Sequence, residues 1–92
     1  MNIITWVKEQ YAVFLLLRAQ RLQKRANDWH WAANSHAHRV SLMGNEISAH
    51  RYHLTRQCAK SRRRAYALGA EATATETKAH NFISKHKLKG FD

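Results

Sequence analysis

The chain has 92 residues, which suffices for one small domain, and its 16 Lys and Arg against 6 Asp and Glu give a net charge of +10. Leu, Ile, Val and Phe account for only 18 residues, close to the level of about 20% below which highly charged chains tend to stay disordered. We therefore expect weak stability for the isolated chain. The charge indicates an anionic partner, of which nucleic acid, an acidic protein surface and a membrane surface are the main classes.

The residue composition predicts an all-α fold within a single domain, 1–92, because proline is absent and good helix formers dominate. The first helix is predicted over about 3–33, where apolar residues recur at steps of three and four. These residues are Ile4, Val7, Tyr11, Leu15, Leu22, Ala26, Trp29 and Ala33. From Tyr11 to Leu17 the helix is apolar on nearly every side, so this part requires burial on more than one side. We expect the helix to end within 27–35, where Asn, Asp and Ser offer breaks and caps.

A second helix is predicted over about 35–68. Its stripe consists of Val40, Met43, Ile47, His50, Leu54, Cys58, Ser61, Ala65 and Leu68. The stripe continues through Gly44-Asn45, which is a candidate kink or break. Because its members include His50, Cys58 and Ser61, the stripe is unsuited to a coiled-coil core and favours packing against the first helix as a hairpin.

The C-terminal part is predicted to hold a linker and a short third helix. Gly69 is expected to end the second helix, with a linker over 69–75. Thr73 and Glu76 have the spacing of a capping box, which predicts a helix over about 75–88, ended by Gly90. That helix would bury three apolar residues: Ala79, Phe82 and Ile83. The predicted fold is therefore two long helices packed as a hairpin plus a short C-terminal helix.

The longest apolar run, Tyr11–Leu17, is too short to cross a membrane, which takes about 20 residues. The N-terminus lacks the features of a signal peptide, and the single Cys58 cannot form an internal disulfide. We therefore expect a soluble protein in the cytoplasm, with no membrane partner.

Most of the excess positive charge lies in the predicted second helix, since residues 35–68 carry seven basic side chains and one acidic side chain. The candidate binding residues are Arg51, Arg56, Lys60, Arg62, Arg63 and Arg64. Such a row can follow a phosphate backbone by releasing counterions, or it can bind carboxylates of an acidic protein. A solvated face that only confers solubility is the third interpretation.

Aromatic and large apolar residues of the first helix form a candidate apolar partner face. They are Trp6, Tyr11, Phe14, Leu17, Trp29 and Trp31. Such residues anchor protein interfaces, and aromatics among basic residues can stack on the bases of single-stranded nucleic acid. They can equally supply the core that this chain otherwise lacks.

Catalytic and metal-binding patterns are weak. Glu46, His50 and His53 would share one side of a helix, and His36 and His38 are a second close pair. However, His36 and His38 diverge on a helix, and there is no second Cys and no His-Glu-x-x-His motif. The six carboxylates are scattered, and no Gly-rich phosphate loop occurs. We expect no catalytic residues, no metal and no cofactor.

The opening stretch Ile3-Ile4-Thr5-Trp6-Val7-Lys8-Glu9-Gln10-Tyr11, together with the compact, basic, helical build, resembles the small early proteins of lambdoid phages. Among these the chain is most similar to the anti-RecBCD proteins, which bind the host exonuclease–helicase and redirect it so that phage recombination can proceed. The resemblance implies RecBCD as the partner, bound through Tyr11–Leu17 and the basic middle helix, in the host bacterial cytoplasm. The chain is too basic to act as a DNA mimic.

Three functions follow from these patterns. The first is a phage-encoded protein that modulates a host DNA repair or recombination enzyme, with RecBCD as the candidate, and that has no catalysis of its own. The second is a small basic protein that binds DNA or RNA directly, although no helix-turn-helix, zinc-finger or RNP-type motif is visible. The third is a homo-oligomer closed by the first helix.

Overall fold

The computed structural model describes residues 3–44 and 48–91, which form two helices, α1 (Ile3–Leu42) and α2 (Ala49–His86). The helices run antiparallel, because Tyr11 contacts Phe82 at one end while Ala33 contacts Cys58 towards the other. Together they form a rod of 66 × 17 × 14 Å. No strand occurs in 3–44 or 48–91. The predicted all-α class and the pairing of two long helices as a hairpin are confirmed.

Helix α1 is longer than predicted, because it continues through 27–35 and ends at Leu42. Two predicted boundaries are therefore wrong: the end of the first helix at 33 and the start of the second helix at 35. The polar residues in this stretch use their side chains elsewhere: Asn27 Oδ1 accepts a 3.0 Å bond from Gln23, and Asn34 Oδ1 accepts one from Arg62. Such residues usually end a helix by hydrogen-bonding to its backbone groups. Because these two side chains bond to other side chains, they leave the backbone of α1 intact.

The reversal of the chain begins at Gly44, so the candidate break at Gly44-Asn45 is where α1 gives way to the turn. The amide of Gly44 donates to the carbonyl of Ser41 at 3.3 Å, and its φ of +64° lies in the left-handed region that favours glycine. Ser48 then caps α2, since its Oγ accepts a 3.1 Å bond from the amide of Arg51. Ile47, in the predicted stripe, lies outside the described residues.

Helix α2 runs without interruption through 69–75, so the predicted linker, the capping box and the separate third helix are wrong. Thr75 Oγ1 donates to the carbonyl of Glu71 at 2.8 Å, as in a helix interior. Gly69 has ordinary helical geometry and ends no helix. A glycine inside a helix costs about 1 kcal/mol relative to alanine. Burial of Ala65, Ala72 and Ala79 on the same side of α2 offsets that cost.

Helix α2 ends at His86, before the predicted stop at Gly90. Lys87 adopts a left-handed conformation with φ of 50°, and the amide of Leu88 bonds back to the carbonyl of Ile83 at 3.1 Å. This pattern is a Schellman motif, in which an apolar residue after the helix packs onto its last turn. Accordingly, buried Leu88 clusters with Ile83 and Ala12 of α1. Leu88 therefore follows the helix and anchors the tail of the chain to α1.

The interface between the helices is built from small residues, since seven of the twelve buried apolar residues are alanines. In α1 they recur every seven residues, at Ala12, Ala19, Ala26 and Ala33, and in α2 at Ala65, Ala72 and Ala79. A seven-residue repeat keeps one seam facing the partner helix. Within the predicted second stripe, Leu54, Ser61 and Ala65 are buried and Cys58 is half-buried, whereas His50 is exposed.

The apolar predictions at the two ends of the chain differ in outcome. Ala79 and Ile83 are buried and Phe82 is half-buried, as predicted for the C-terminal stretch. Ile4 and Val7, which were expected on the buried stripe of the first helix, are exposed. The alanine positions of α1 occupy the seam instead, because small side chains let the helix backbones approach closely.

Candidate functional site

An unpaired apolar surface covers the outside of the N-terminal half of α1. We call this surface, which consists of Ile3, Trp6, Val7, Val13, Phe14 and Leu17, the outer apolar face. At 100° per residue these side chains lie on the side of α1 opposite the buried Ala12, Leu15 and Ala19. Their exposed fractions range from 37% for Val13 to 78% for Ile3. Neither helix, nor the rest of residues 3–44 and 48–91, covers these side chains.

Three residues of the predicted apolar partner face, namely Trp6, Phe14 and Leu17, belong to the outer apolar face. Tyr11 lies at its edge and is less available, because its ring packs edge-to-face on Phe82 at 4.8 Å between centroids. Sequence reasoning placed Val7 in the core and did not single out Ile3. Both Ile3 and Val7 lie on the side of α1 opposite its buried alanines. That position would have identified them as members of an exposed apolar surface.

Trp29 and Trp31 are separate from the outer apolar face. Trp29 is half-buried, and the guanidinium carbon of Arg64 lies 4.8 Å from the centre of its ring, a cation–π contact. Trp31 is 73% exposed and lies four turns beyond Leu17 on α1. Of the two, only Trp31 is open to a partner.

A basic surface covers the outside of α2 close to the turn. We call Arg56, Lys60 and Arg63, which recur at steps of three and four on the side away from α1, the basic row. All three side chains are exposed, and they line a surface cavity of about 280 Å³ together with His53 and Gln57. Within 3–44 and 48–91 no carboxylate lies within ion-pair distance of any of them.

The other predicted basic residues make contacts within the hairpin. Arg62 is half-buried and bonds to His30 Nδ1 at 3.3 Å and to Asn34 Oδ1 at 2.9 Å, so it links the two helices. Arg64 covers Trp29, and the backbone of Arg51 belongs to the first turn of α2. The structure therefore divides the predicted basic cluster into an outward row, two arginines (Arg62 and Arg64) that contact α1, and Arg51 in the first turn of α2.

The outer apolar face and the basic row lie in different halves of the rod. Because the helices are antiparallel, Tyr11 is level with Phe82, at the end away from the turn. The basic row is level with the stretch of α1 around His30 and Ala33, since Arg62 contacts His30 and Cys58 contacts Ala33. The two surfaces also face opposite directions, since each lies on the outside of its own helix. They are two separate surfaces, and one compact partner cannot cover both without spanning most of the 66 Å rod.

Histidines are distributed along the rod. Among the described residues, no group of three His, Cys, Asp or Glu side chains could hold a metal ion. Glu46, of the predicted Glu46/His50/His53 set, lies outside those residues, and His50 and His53 are exposed. His86 packs against Phe82 with 4.5 Å between ring centroids. Desolvation, together with the positive charges of Lys8 and Lys85, lowers the pKa of His86 below 6.5.

Comparisons with known proteins assign no family to the chain. No protein-family model matches the sequence, and no significant match occurs among curated proteins or solved structures. Within the described residues, neither α1 nor α2 has a stretch that is long and apolar enough to span a bilayer. What the molecule binds must therefore be argued from its two exposed surfaces.

Proposed function

We propose that the chain is a non-catalytic binding protein that modulates a host DNA-processing enzyme, with RecBCD as the candidate partner implied by the phage resemblance. The outer apolar face is the observation that carries this proposal. Nucleic acid is bound mainly through its phosphates and needs no contiguous aliphatic surface. Trp, Phe and Leu side chains that are about half exposed on a rigid helix are, by contrast, typical anchors of protein interfaces.

The shape of the protein supports binding over catalysis. Cavities on the described surface measure about 250–340 Å³, near the lower limit of the about 300–1,000 Å³ that ligand pockets usually enclose. A rod with an apolar surface near one end and a basic surface in its other half can lie along a groove of a larger protein. The basic row then suits an acidic edge of that groove, where Arg forms bidentate pairs with carboxylates.

The test uses purified RecBCD, the purified chain and no DNA. We expect a stoichiometric complex on size-exclusion chromatography and a change in exonuclease activity. Leu17→Glu places a charge on the outer apolar face and should weaken the complex at least tenfold, since a charge buried without a partner is costly. Leu42→Glu is the matched control, because Leu42 is also exposed, at 74%, but lies beside the turn. Absence of a complex at micromolar concentrations would overturn RecBCD as the partner.

Direct binding of nucleic acid is the second candidate, and the basic row favours it. Each phosphate contact contributes about −0.9 to the slope of log K against log salt on duplex DNA. Replacing Arg56, Lys60 and Arg63 together by Ala should therefore flatten the slope by almost three. Replacing Lys78, Lys85 and Lys89 together by Ala removes the same charge outside the basic row. The slope of this control variant should stay steeper than that of the basic-row variant. Equal slopes for both triple variants would exclude the basic row as the binding surface.

A further inference from the structure

We propose that the outer apolar face binds the same face of a second copy of the chain, antiparallel, with Gln10 on the two-fold axis. The resulting dimer would be a four-helix assembly in which the two α1 helices meet over residues 3–17. The two hairpins would then extend in opposite directions from this overlap. The host partner proposed above would use the same face, so the dimer must dissociate before that partner binds, and the two complexes compete.

The order of residues on the face carries the proposal. Counted outward from Gln10 in both directions, the apolar positions coincide: Val7 with Val13, Trp6 with Phe14, and Ile3 with Leu17. In a two-fold symmetric interface, residue i of one copy contacts residue j of the other, and j contacts i. An antiparallel pairing centred on Gln10 therefore places every apolar side chain of the face opposite another apolar side chain.

Gln10 suits the two-fold axis. Its side chain is exposed and is the one polar group within this pattern of apolar positions. The amide offers both donors and an acceptor, so two Gln10 side chains that meet at the axis can hydrogen-bond to each other. A single polar residue in an otherwise apolar helical interface selects one register, because any shift leaves its amide against apolar groups.

The exposed area is adequate for such an interface. Exposures of 37–78% for six large apolar side chains correspond to on the order of 600 Å² per copy, near the about 800 Å² per partner of a standard interface. The hairpin alone also has little core, since no large side chain in 3–44 or 48–91 is fully buried. A second copy would supply the apolar contacts that one chain lacks.

The distribution of charge favours the antiparallel arrangement. Residues 3–17 carry only Lys8 and Glu9, both half-buried, so the overlap has no net charge although the chain as a whole carries +10. An antiparallel overlap places the two basic rows on either side of the overlap, far from each other. A parallel pairing would bring the two rows to the same end and increase their repulsion.

The first experiment measures self-association of the purified chain by sedimentation equilibrium at physiological salt. We expect a monomer–dimer equilibrium that Phe14→Glu weakens about 100-fold in Kd, because each dimer would bury two unpaired carboxylates. Trp31→Glu is the matched control, since Trp31 is an exposed aromatic on α1 outside the overlap. Circular dichroism verifies that both variants keep their helices. A monomer at every concentration, or equal weakening by both variants, would overturn the proposal.

The second experiment tests the direction of pairing in a Cys58→Ser background. Ile3→Cys and Leu17→Cys proteins are mixed and treated with a short bismaleimide cross-linker. An antiparallel pairing gives cross-links between position 3 of one copy and position 17 of the other, so the mixture yields heterodimers. Efficient cross-linking of the Leu17→Cys protein to itself, without heterodimers, would show a parallel arrangement and overturn the proposed register.

Discussion

Nη2 of Arg62 donates a 2.9 Å hydrogen bond to Oδ1 of Asn34, which joins the middle of α2 to α1 across the hairpin. The neighbouring Arg63 lies about 100° further round α2, on the side away from α1, and is exposed. Two adjacent arginines in one basic cluster therefore have different tasks. Arg62 helps to fix the pairing of the helices, and Arg63 is open to a partner.

Arg62→Ala should lower the free energy of unfolding by about 1 kcal/mol, since it removes hydrogen bonds from a half-buried site. Arg63→Ala should change it by less than about 0.5 kcal/mol, as expected for an exposed substitution. Urea unfolding followed by circular dichroism, at one fixed protein concentration, measures both. Equal losses in the two variants would contradict the division between structural and outward arginines.

Ala26→Leu should destabilise the hairpin by about 1–3 kcal/mol, because Ala26 is 1% exposed and a larger side chain would force the helices apart. Ala74→Leu is the control, since Ala74 is exposed on α2 and leucine is nearly as good a helix former as alanine. Thermal unfolding of both variants gives the comparison. If Ala26→Leu were neutral, the helices could not be packed closely at the alanine seam.

The glycines Gly44 and Gly69 should respond in opposite ways to alanine. Gly69→Ala should stabilise the protein by about 0.5–1 kcal/mol, because the residue is inside α2 and an added Cβ meets no atom. Gly44→Ala should destabilise it by about 1 kcal/mol, because its φ of +64° is unfavourable for a residue with a Cβ. Urea unfolding at a fixed protein concentration measures both. Destabilisation by Gly69→Ala would indicate that the second helix ends there.

Stability should fall as the pH drops below about 6.5, in part because of His86. Its pKa is lowered in the folded state by desolvation and by Lys8 and Lys85, while the unfolded chain has a pKa of about 6.5. The unfolded state therefore binds the proton more readily, and this loss of stability grows until the pH falls below the folded pKa.

His86→Gln should reduce this loss of stability in acid, and Lys8→Met should reduce it partly by removing one of the positive charges. Chemical denaturation between pH 5 and 8 measures the effect, and NMR titration of the His86 ring gives its midpoint directly. A midpoint at or above 6.5 for His86 would contradict the argument.

Composition and local chemistry determined the helical class and the place where α1 gives way to the turn. Without proline, and with alanine and leucine abundant, the chain has few alternatives to helix. Gly44 supplies the left-handed turn residue that the reversal needs. Local signals failed at Asn27, Asn34 and Thr73, which were interpreted as caps or breaks. Such signals are worth about 1 kcal/mol, less than the packing energy of a continuous seam.

The candidate surfaces were also only partly predictable. The basic character of α2 and the apolar excess near Phe14 are visible in the residue order. The predicted stripe through Leu54, Ser61 and Ala65 gave the side of α2 that meets α1, and these residues are buried. The contacts of Arg62 with His30 and Asn34 could not be predicted, because they depend on how the two helices are aligned along the rod.

The sequence by itself thus determined that the chain is helical, basic and poor in core residues. Only the tertiary structure decided that its outer apolar face and its basic row lie on opposite sides and in different halves of one rod. The physical reason is that alanines every seven residues bring the two helices together along their small side chains. The large apolar side chains of α1 are thereby turned outward, towards whatever the protein binds.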